Sequence, residues 1–258
     1  MGEASITSAH NKKAICFIHG WGLGPGVWEN FIYSLSADWQ ACAFMMPGYD
    51  SQETSADVSN NIDAIVDHII EKIPAKAILV GWSLGGLVAT RLASRLGNAL
   101  DMLILLASTP CFIKKTDWPC GVSAAKVQGI DDQLSKNKDK ALNGFISEIA
   151  LGDESPRDTI KILKNLLVKN SPHADALKDG LEILCNIDLR EELTKLDCKA
   201  GMILGENDHL VVKDTGPATQ LLCPQMQLLT IGAAGHAPFI SQQEKTRQAI
   251  FKLIRQAV

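Results

Sequence analysis

Ala77-Ile78-Leu79-Val80-Gly81-Trp82-Ser83-Leu84-Gly85-Gly86-Leu87-Val88 decides the reading of this chain. The apolar, β-branched run Ala77–Val80 has the length of a buried strand. Gly81-Trp82-Ser83-Leu84-Gly85 follows it without a break, and Leu84, Leu87, Val88 and Leu92 then recur at helical spacing. Alone, G-x-S-x-G is a pattern that chance supplies; strand, motif and helix in that order make a nucleophile elbow. A serine on so tight a turn sits at strained dihedrals, and small neighbours let the strand and helix ends approach. The turn lifts the hydroxyl clear of the sheet at the positive end of a helix, where a developing oxyanion is stabilised. The competing reading is a glycine-rich turn that merely ends a strand.

Upstream, Ala14–Ile18 is a second buried run, and His19-Gly20-Trp21-Gly22-Leu23-Gly24-Pro25-Gly26 follows it. Glycines at that density mean that the backbone itself is used. Val27–Leu35 reads as a helix, Ala41–Met46 as a strand and Pro47-Gly48-Tyr49-Asp50 as a turn. Ile62, Ile65, Val66, Ile69, Ile70 and Ile73 form an amphipathic stripe capped by Asn60 or Asn61 and stopped by Pro74. Residues 1–13 carry at most an irregular edge strand. Downstream, Met102–Ala107 is another buried strand. From Ser108 to about Arg190 only helical patterns appear, Leu134–Leu151 holding one or two helices and Ile160, Leu163, Leu166 and Leu167 marking another. Strands resume at Ala200–Leu204 and Met226–Ile231, and Thr246–Val258 closes the chain as a helix. This alternation predicts an α/β fold with a mostly parallel, doubly wound sheet. The expected core is 1–110 with 190–258, and 111–189 is an inserted helical lid.

Ligands of open α/β sheets bind beyond the carboxyl ends of the strands. Two more chemical groups stand there. Gly205-Glu206-Asn207-Asp208-His209 follows one strand, and Gly232-Ala233-Ala234-Gly235-His236-Ala237-Pro238 follows the last. The order Ser83, Asp208, His236 is that of an α/β-hydrolase triad. Glu206 and Asp214 are rival acids: Glu206 is one step from its strand, and Asp214 lies further along. Among other histidines, His10, His68 and His173 read as bystanders, His209 precedes an apolar turn, and His19 braces the glycine loop. Ester hydrolysis needs two N–H donors for the oxyanion. Leu84, after the nucleophile, supplies one and Trp21 the other. Cys111 and Cys120 are alternative nucleophiles, but neither has a base paired with it in the sequence.

The 258 residues carry a net charge of −4, with 46% hydrophobic and 21% charged residues, which fits a soluble globular chain and excludes a general nucleic-acid binder. No apolar run approaches the ~20 residues of a membrane span. The opening residues have neither a signal peptide's regions nor a myristoylation pattern, since Ile6 stands where Ser or Thr is required. The cysteines, seven and scattered without C-x-x-C, fit reduced thiols in the cytoplasm. No H-E-x-x-H pattern or other ligand spacing calls for a metal, and no cofactor is expected.

Five stretches together resemble one family: His19-Gly20-Trp21-Gly22-Leu23, Gly81 to Ala89, Ala107-Ser108-Thr109-Pro110-Cys111-Phe112, Gly180-Leu181-Glu182-Ile183-Leu184 and Ala234 to Ser241. These are similar to the pimeloyl-acyl-carrier-protein methyl ester esterases of biotin synthesis, with an α/β-hydrolase fold. The resemblance runs from about residue 14 to the C-terminus. It implies cleavage of the methyl ester on a pimeloyl chain held by acyl carrier protein, with Trp21, Leu84 and Phe145 touching substrate. It also implies that Lys140, Arg157 and Lys161 dock the acidic carrier. Gly144 stands where the family can carry an arginine, and Val212 replaces a usual proline. From the residues themselves, Phe112, Phe145, Ile146 and Ile149 either line an acyl pocket or pack as lid core. Arg157, Lys161 and Lys164 share a helix face, which alone reads as a solvated surface. The other readings are a general carboxylesterase on short acyl esters and a non-catalytic ligand receptor of the same fold. A monomer is expected.

Overall fold

The computed structural model describes residues 12–35, 39–49, 61–169 and 171–256. His10, Asp50, Asn60 and the last two residues of the expected closing helix lie outside them, as does nearly all of the expected N-terminal edge strand. Six parallel strands form one sheet in the order β2-β1-β3-β4-β5-β6. They are β1 (Lys13–Ile18), β2 (Trp39–Phe44), β3 (Ile78–Trp82), β4 (Met102–Leu106), β5 (Lys199–Gly205) and β6 (Gln227–Ile231). All of β3 and β4 is buried, as is β1 beyond Lys13 and β5 beyond Lys199. Helices cover both faces of a parallel sheet, so its inner strands are apolar runs without alternation. The edge strands β2 and β6 are only partly buried.

A 3₁₀ turn at Pro25–Trp28 leads into α1 (Glu29–Tyr33). Next comes α2 (Ile62–Ile70), capped by the Asn61 side chain, which accepts from the Ala64 amide at 2.9 Å. The apolar stripe continues to Ile73, but the helix stops at Ile70. Lys72 and Ile73 bond back only three residues, to Ile69 and Ile70. The turn tightens before Pro74 arrives. After β3, α3 (Leu84–Leu96) runs beneath the sheet's central strands.

Between β4 and β5 the chain leaves the sheet for α4 (Ala124–Lys136), α5 (Lys138–Ala150), α6 (Pro156–Lys169) and α7 (Ala174–Asn186), then α8 (Arg190–Thr194). The two ends of this excursion are fastened together. Cys111 and Asp188 form an antiparallel bridge, and the Leu189 amide donates to the Pro110 carbonyl at 2.8 Å. The remaining helices are α9 (Thr215–Leu222), α10 (Pro238–Ser241) and α11 (Gln243–Gln256). Phe17, Trp28, Phe31, Trp82 and Phe239 stack through one another in the buried layer behind the elbow. Strand order reverses between β1 and β3, so the loops after these two strands diverge and leave a crevice between them.

Candidate active site

Ser83 stands at that crevice. Its φ of 54° and ψ of −122° are strained for a residue with a side chain, at a cost of about 1–3 kcal/mol. The surroundings hold it there. The Ser83 amide donates to the Leu106 carbonyl at 3.1 Å, and the Ser108 hydroxyl donates to the Ser83 carbonyl at 2.7 Å. A Cβ at Gly81 would run into the Gly85 carbonyl oxygen, one at Gly85 into the His19 carbonyl oxygen, and one at the neighbouring Gly86 into the Ser108 hydroxyl. The motif's glycines are thus required by close approach.

Ser83 Oγ lies 2.8 Å from His236 Nε2, and His236 Nδ1 lies 2.8 Å from Asp208 Oδ2. A carboxylate only accepts, so Nδ1–H donates to Asp208 and Nε2 is left to accept from the serine hydroxyl. Asp208 Oδ1 accepts from the Leu210 and Val211 amides at 2.8 and 2.9 Å, which fixes the acid in its loop. All three side chains are buried. The Trp82 indole donates to the His236 carbonyl at 2.7 Å, tying the residue before the nucleophile to the residue opposite it. The acid and histidine loops also touch through their backbones, the Asn207 amide donating to Ala234 O at 2.9 Å.

The rivals sit elsewhere. Glu206 is exposed and accepts from the Ala233 amide at 3.3 Å, while Asp214 precedes α9 as its cap residue. His68 is exposed on α2, and His209 is exposed beside Asp208. His173 caps α7, its amide donating to the Gly48 carbonyl at 3.0 Å. His19 Nε2 accepts from the Met46 amide at 3.1 Å, so its Nδ1–H donates to the Gly20 carbonyl at 2.9 Å. Burial lowers its pKa to about 4, which keeps the ring neutral in this bracing role. Burial also pushes the Cys111 and Cys120 thiols up, the reverse of what activates a cysteine nucleophile.

The glycine loop lies against the elbow. Trp21 is buried, and its indole donates to the Leu177 carbonyl of α7 at 2.7 Å. The Phe145 ring meets it edge-on, centroids 4.8 Å apart. A Cβ at Gly180 would sit 2.6 Å from Trp21 and 3.2 Å from Leu84, so Gly180 closes the wall over both residues. Leu84 opens α3, and its N–H is among those a helix leaves unpaired. Of the other α5 residues, Ile146 and Ile149 are fully enclosed in the common core. Lys140, Arg157, Lys161 and Lys164 are all exposed, and among the described residues none of them is in an ion pair.

Three residues that hold the main chain at the site carry no mark of that role in the sequence: Ser108 and Trp82, through the bonds above, and Asp153, whose Oδ1 accepts from the Gly235 amide at 2.7 Å. Ser108 lies just past β4, as the other site residues lie just past their strands, and it falls in one of the stretches that carry the family resemblance, but neither signal gives it a role. Asp153 lies in the polar stretch Gly152-Asp153-Glu154-Ser155, which reads as an ordinary turn.

Residues 13–243 match the model of the alpha/beta hydrolase fold family. The pimeloyl-[acyl-carrier protein] methyl ester esterase of Proteus mirabilis is 34% identical over 248 residues, covering 95% of this chain and 94% of that protein. Those of Aeromonas hydrophila and Nitrosomonas europaea are 31% and 30% identical, covering 90% and 95% of this chain and 91% and 97% of their own lengths. Among solved structures, an esterase from Exiguobacterium antarcticum superposes with a TM-score of 0.84 at 20% identity, over 94% of this chain and 92% of that one. An enol-lactonase from Burkholderia xenovorans gives 0.81 at 16% identity, over 95% and 92%. These two likenesses speak to the fold. Its sequence places this chain in the alpha/beta hydrolase fold family and, within it, among the pimeloyl-[acyl-carrier protein] methyl ester esterases.

Proposed function

We propose that this protein is a serine carboxylesterase that hydrolyses the methyl ester of pimeloyl-acyl-carrier protein, releasing methanol and the free acid, as a step in biotin synthesis. One observation carries the chemistry: the unbroken line from Ser83 Oγ through the His236 ring to Asp208, with both spacings at 2.8 Å. His236 Nε2 takes the serine proton as Oγ attacks the ester carbonyl, and Asp208 stabilises the imidazolium that forms. The oxyanion rests on the Leu84 and Trp21 amides, each worth about 3 kcal/mol in the transition state. That gain exceeds the strain stored at Ser83. Methanol leaves with the proton from His236, and water, activated by the same ring, then cleaves the acyl-enzyme. No cofactor or metal enters this scheme.

The relatives' names supply the substrate class, and the helical insertion supports it. Phe145, beside Trp21, and Ile146 and Ile149 behind it give an apolar lid against which an acyl chain packs. Lys140, Arg157, Lys161 and Lys164 present free positive charge to an acidic carrier. The enzyme acts as a cytoplasmic monomer; among the described residues no helix is long and apolar enough to cross a membrane. The test is mass spectrometry of pimeloyl-acyl-carrier-protein methyl ester incubated with the protein. Loss of the methyl group, abolished by Ser83→Ala, is the expected result. An intact carrier ester beside rapid hydrolysis of short aryl esters would make the protein a general carboxylesterase, and no turnover of either would make it a receptor.

A further inference from the structure

His236 is gripped from two directions. Its side chain meets Ser83 and Asp208 over the sheet, while its main chain is held by the helical insertion. The His236 amide donates to the Ile149 carbonyl near the end of α5 at 3.2 Å. One residue earlier, the Gly235 amide donates to Asp153 Oδ1 at 2.7 Å. Asp153 is 8% exposed, and its other oxygen, Oδ2, accepts from the Thr159 hydroxyl in the first turn of α6 at 2.8 Å. Both carboxylate oxygens are therefore engaged, which is what makes a buried carboxylate tolerable. Hydrogen bonds to a charged acceptor are short and about twice as strong as neutral ones. The approach is close enough that residue 235 has no room for a side chain: a Cβ there would lie 2.5 Å from the Leu151 carbonyl oxygen, with the Ile149 carbonyl oxygen at 3.1 Å and Asp153 Oδ1 at 3.3 Å. On either side, the Glu154 amide donates to Ala233 O at 3.2 Å and the Asn207 side chain donates to Gly152 O at 3.1 Å.

We propose that Asp153 is a positioning residue for ester hydrolysis: anchored by Thr159, it holds the Gly235 main chain so that His236 presents Nε2 to Ser83. This rests on the roles given above to Ser83, His236 and Asp208. The physical ground is that proton transfer needs Nε2 within hydrogen-bond reach of Oγ, and a displacement of about 1 Å can cost ~100-fold in rate. The insertion then has a second duty besides covering the crevice, because it sets the base. If Asp153 only fastened the insertion to the core, its loss would lower the folded fraction and leave each folded molecule as fast as before.

The experiment compares Asp153→Ala, Asp153→Asn, Thr159→Val and Ser83→Ala with the unaltered protein on a short aryl ester, which needs no carrier. Labelling to completion with a fluorophosphonate counts competent serines, so kcat is expressed per labelled site. Asp153→Ala is expected to lower kcat per site about tenfold or more, with KM changed by less than about twofold. Asp153→Asn is expected to recover most of the rate, since its amide oxygen still accepts from Gly235 and its NH₂ donates to the Thr159 hydroxyl. Thr159→Val is expected to fall between. A normal kcat per site in Asp153→Ala, or an asparagine variant as slow as the alanine one, overturns the proposal. Should Asp153→Ala yield no folded protein, Thr159→Val decides by the same measure: lowered kcat per site supports the assignment and an unchanged one overturns it. Hydrolysis by Ser83→Ala would sink the reading of the triad itself. An inactive Ser83→Ala beside a fully active Asp153→Ala removes only the inference about Asp153.

Discussion

Asp208 and Glu206 follow the same strand two positions apart, and their partners divide them. Asp208 is buried, with one oxygen on His236 and the other on two amides. Glu206 is exposed and, among the described residues, its side chain holds only the Ala233 amide. In Asp208→Asn an amide NH₂ would oppose Nδ1–H, so the ring is driven to the wrong tautomer, and kcat for a short aryl ester is expected to fall on the order of 10⁴-fold. Glu206→Gln is expected to stay within about twofold, as surface changes away from the chemistry do. Steady-state kinetics on the two variants checks this, and a damaging Glu206→Gln with a mild Asp208→Asn would reverse the assignment of the acid. The chemistry-bearing residues were legible in the sequence because each stands just past an apolar strand, where side chains converge. Ser108, Trp82 and Asp153 were not legible as site residues. Their work is done by hydrogen bonds to partners far along the chain, and nothing local marks a serine that will support another serine's carbonyl.

The elements divide on similar grounds. The inner strands could be read from sequence because burial on both faces demands continuous apolar runs, whereas the end of α2 could not. Ile73 continues the stripe, yet the backbone has already tightened, so apolar spacing outlasts the helix. The helices of the insertion carry one conflict that pattern alone does not show. Asp179 on α7 is 7% exposed, next to the glycine that covers Trp21 and Leu84. Burial, reinforced by Glu182 and Asp175, raises its pKa from 3.8 to about 6. The folded state therefore favours the protonated acid, and the unfolded chain gives up its proton first as pH rises. Asp179 costs least below 3.8, its cost grows as pH climbs to about 6, and above that it stays at its maximum. Asp179→Asn, of the same size and without the charge, is expected to raise the thermal midpoint at pH 8 and to change it little at pH 4. Unfolding followed by circular dichroism at both values checks this; equal shifts at the two would mean that ionisation is not the source.

On the scale of the whole molecule, the reversal of strand order between β1 and β3 opens a crevice, and the helical insertion turns it into a covered site. The same insertion carries the exposed basic residues proposed above to dock the carrier. The chain has a net charge of −4, so its average field repels an acidic carrier protein, and docking requires a local positive surface that outweighs it. Lys140 on α5 and Arg157, Lys161 and Lys164 on α6 are exposed, as such a surface must be. In the docking role proposed for them, their charge would act on encounter and seating of the carrier, not on the bond being cleaved. Reversing Arg157 and Lys161 to Glu is therefore expected to lower kcat/KM for the carrier-bound ester at low salt. Added salt shortens the screening length to about 8 Å near physiological ionic strength, so the gap between variant and unaltered protein should narrow as salt rises. On a free short ester the same variant should keep its rate, because neither side chain touches Ser83, His236 or the amides of Trp21 and Leu84 proposed to hold the oxyanion. Parallel kcat/KM measurements on both substrates across a salt series carry the test. A loss confined to the carrier substrate and blunted by salt assigns the face to docking. Equal losses on both would mean that α6 has shifted and drawn Thr159 and Asp153 with it, and no loss on either would leave these residues an ordinary solvated surface.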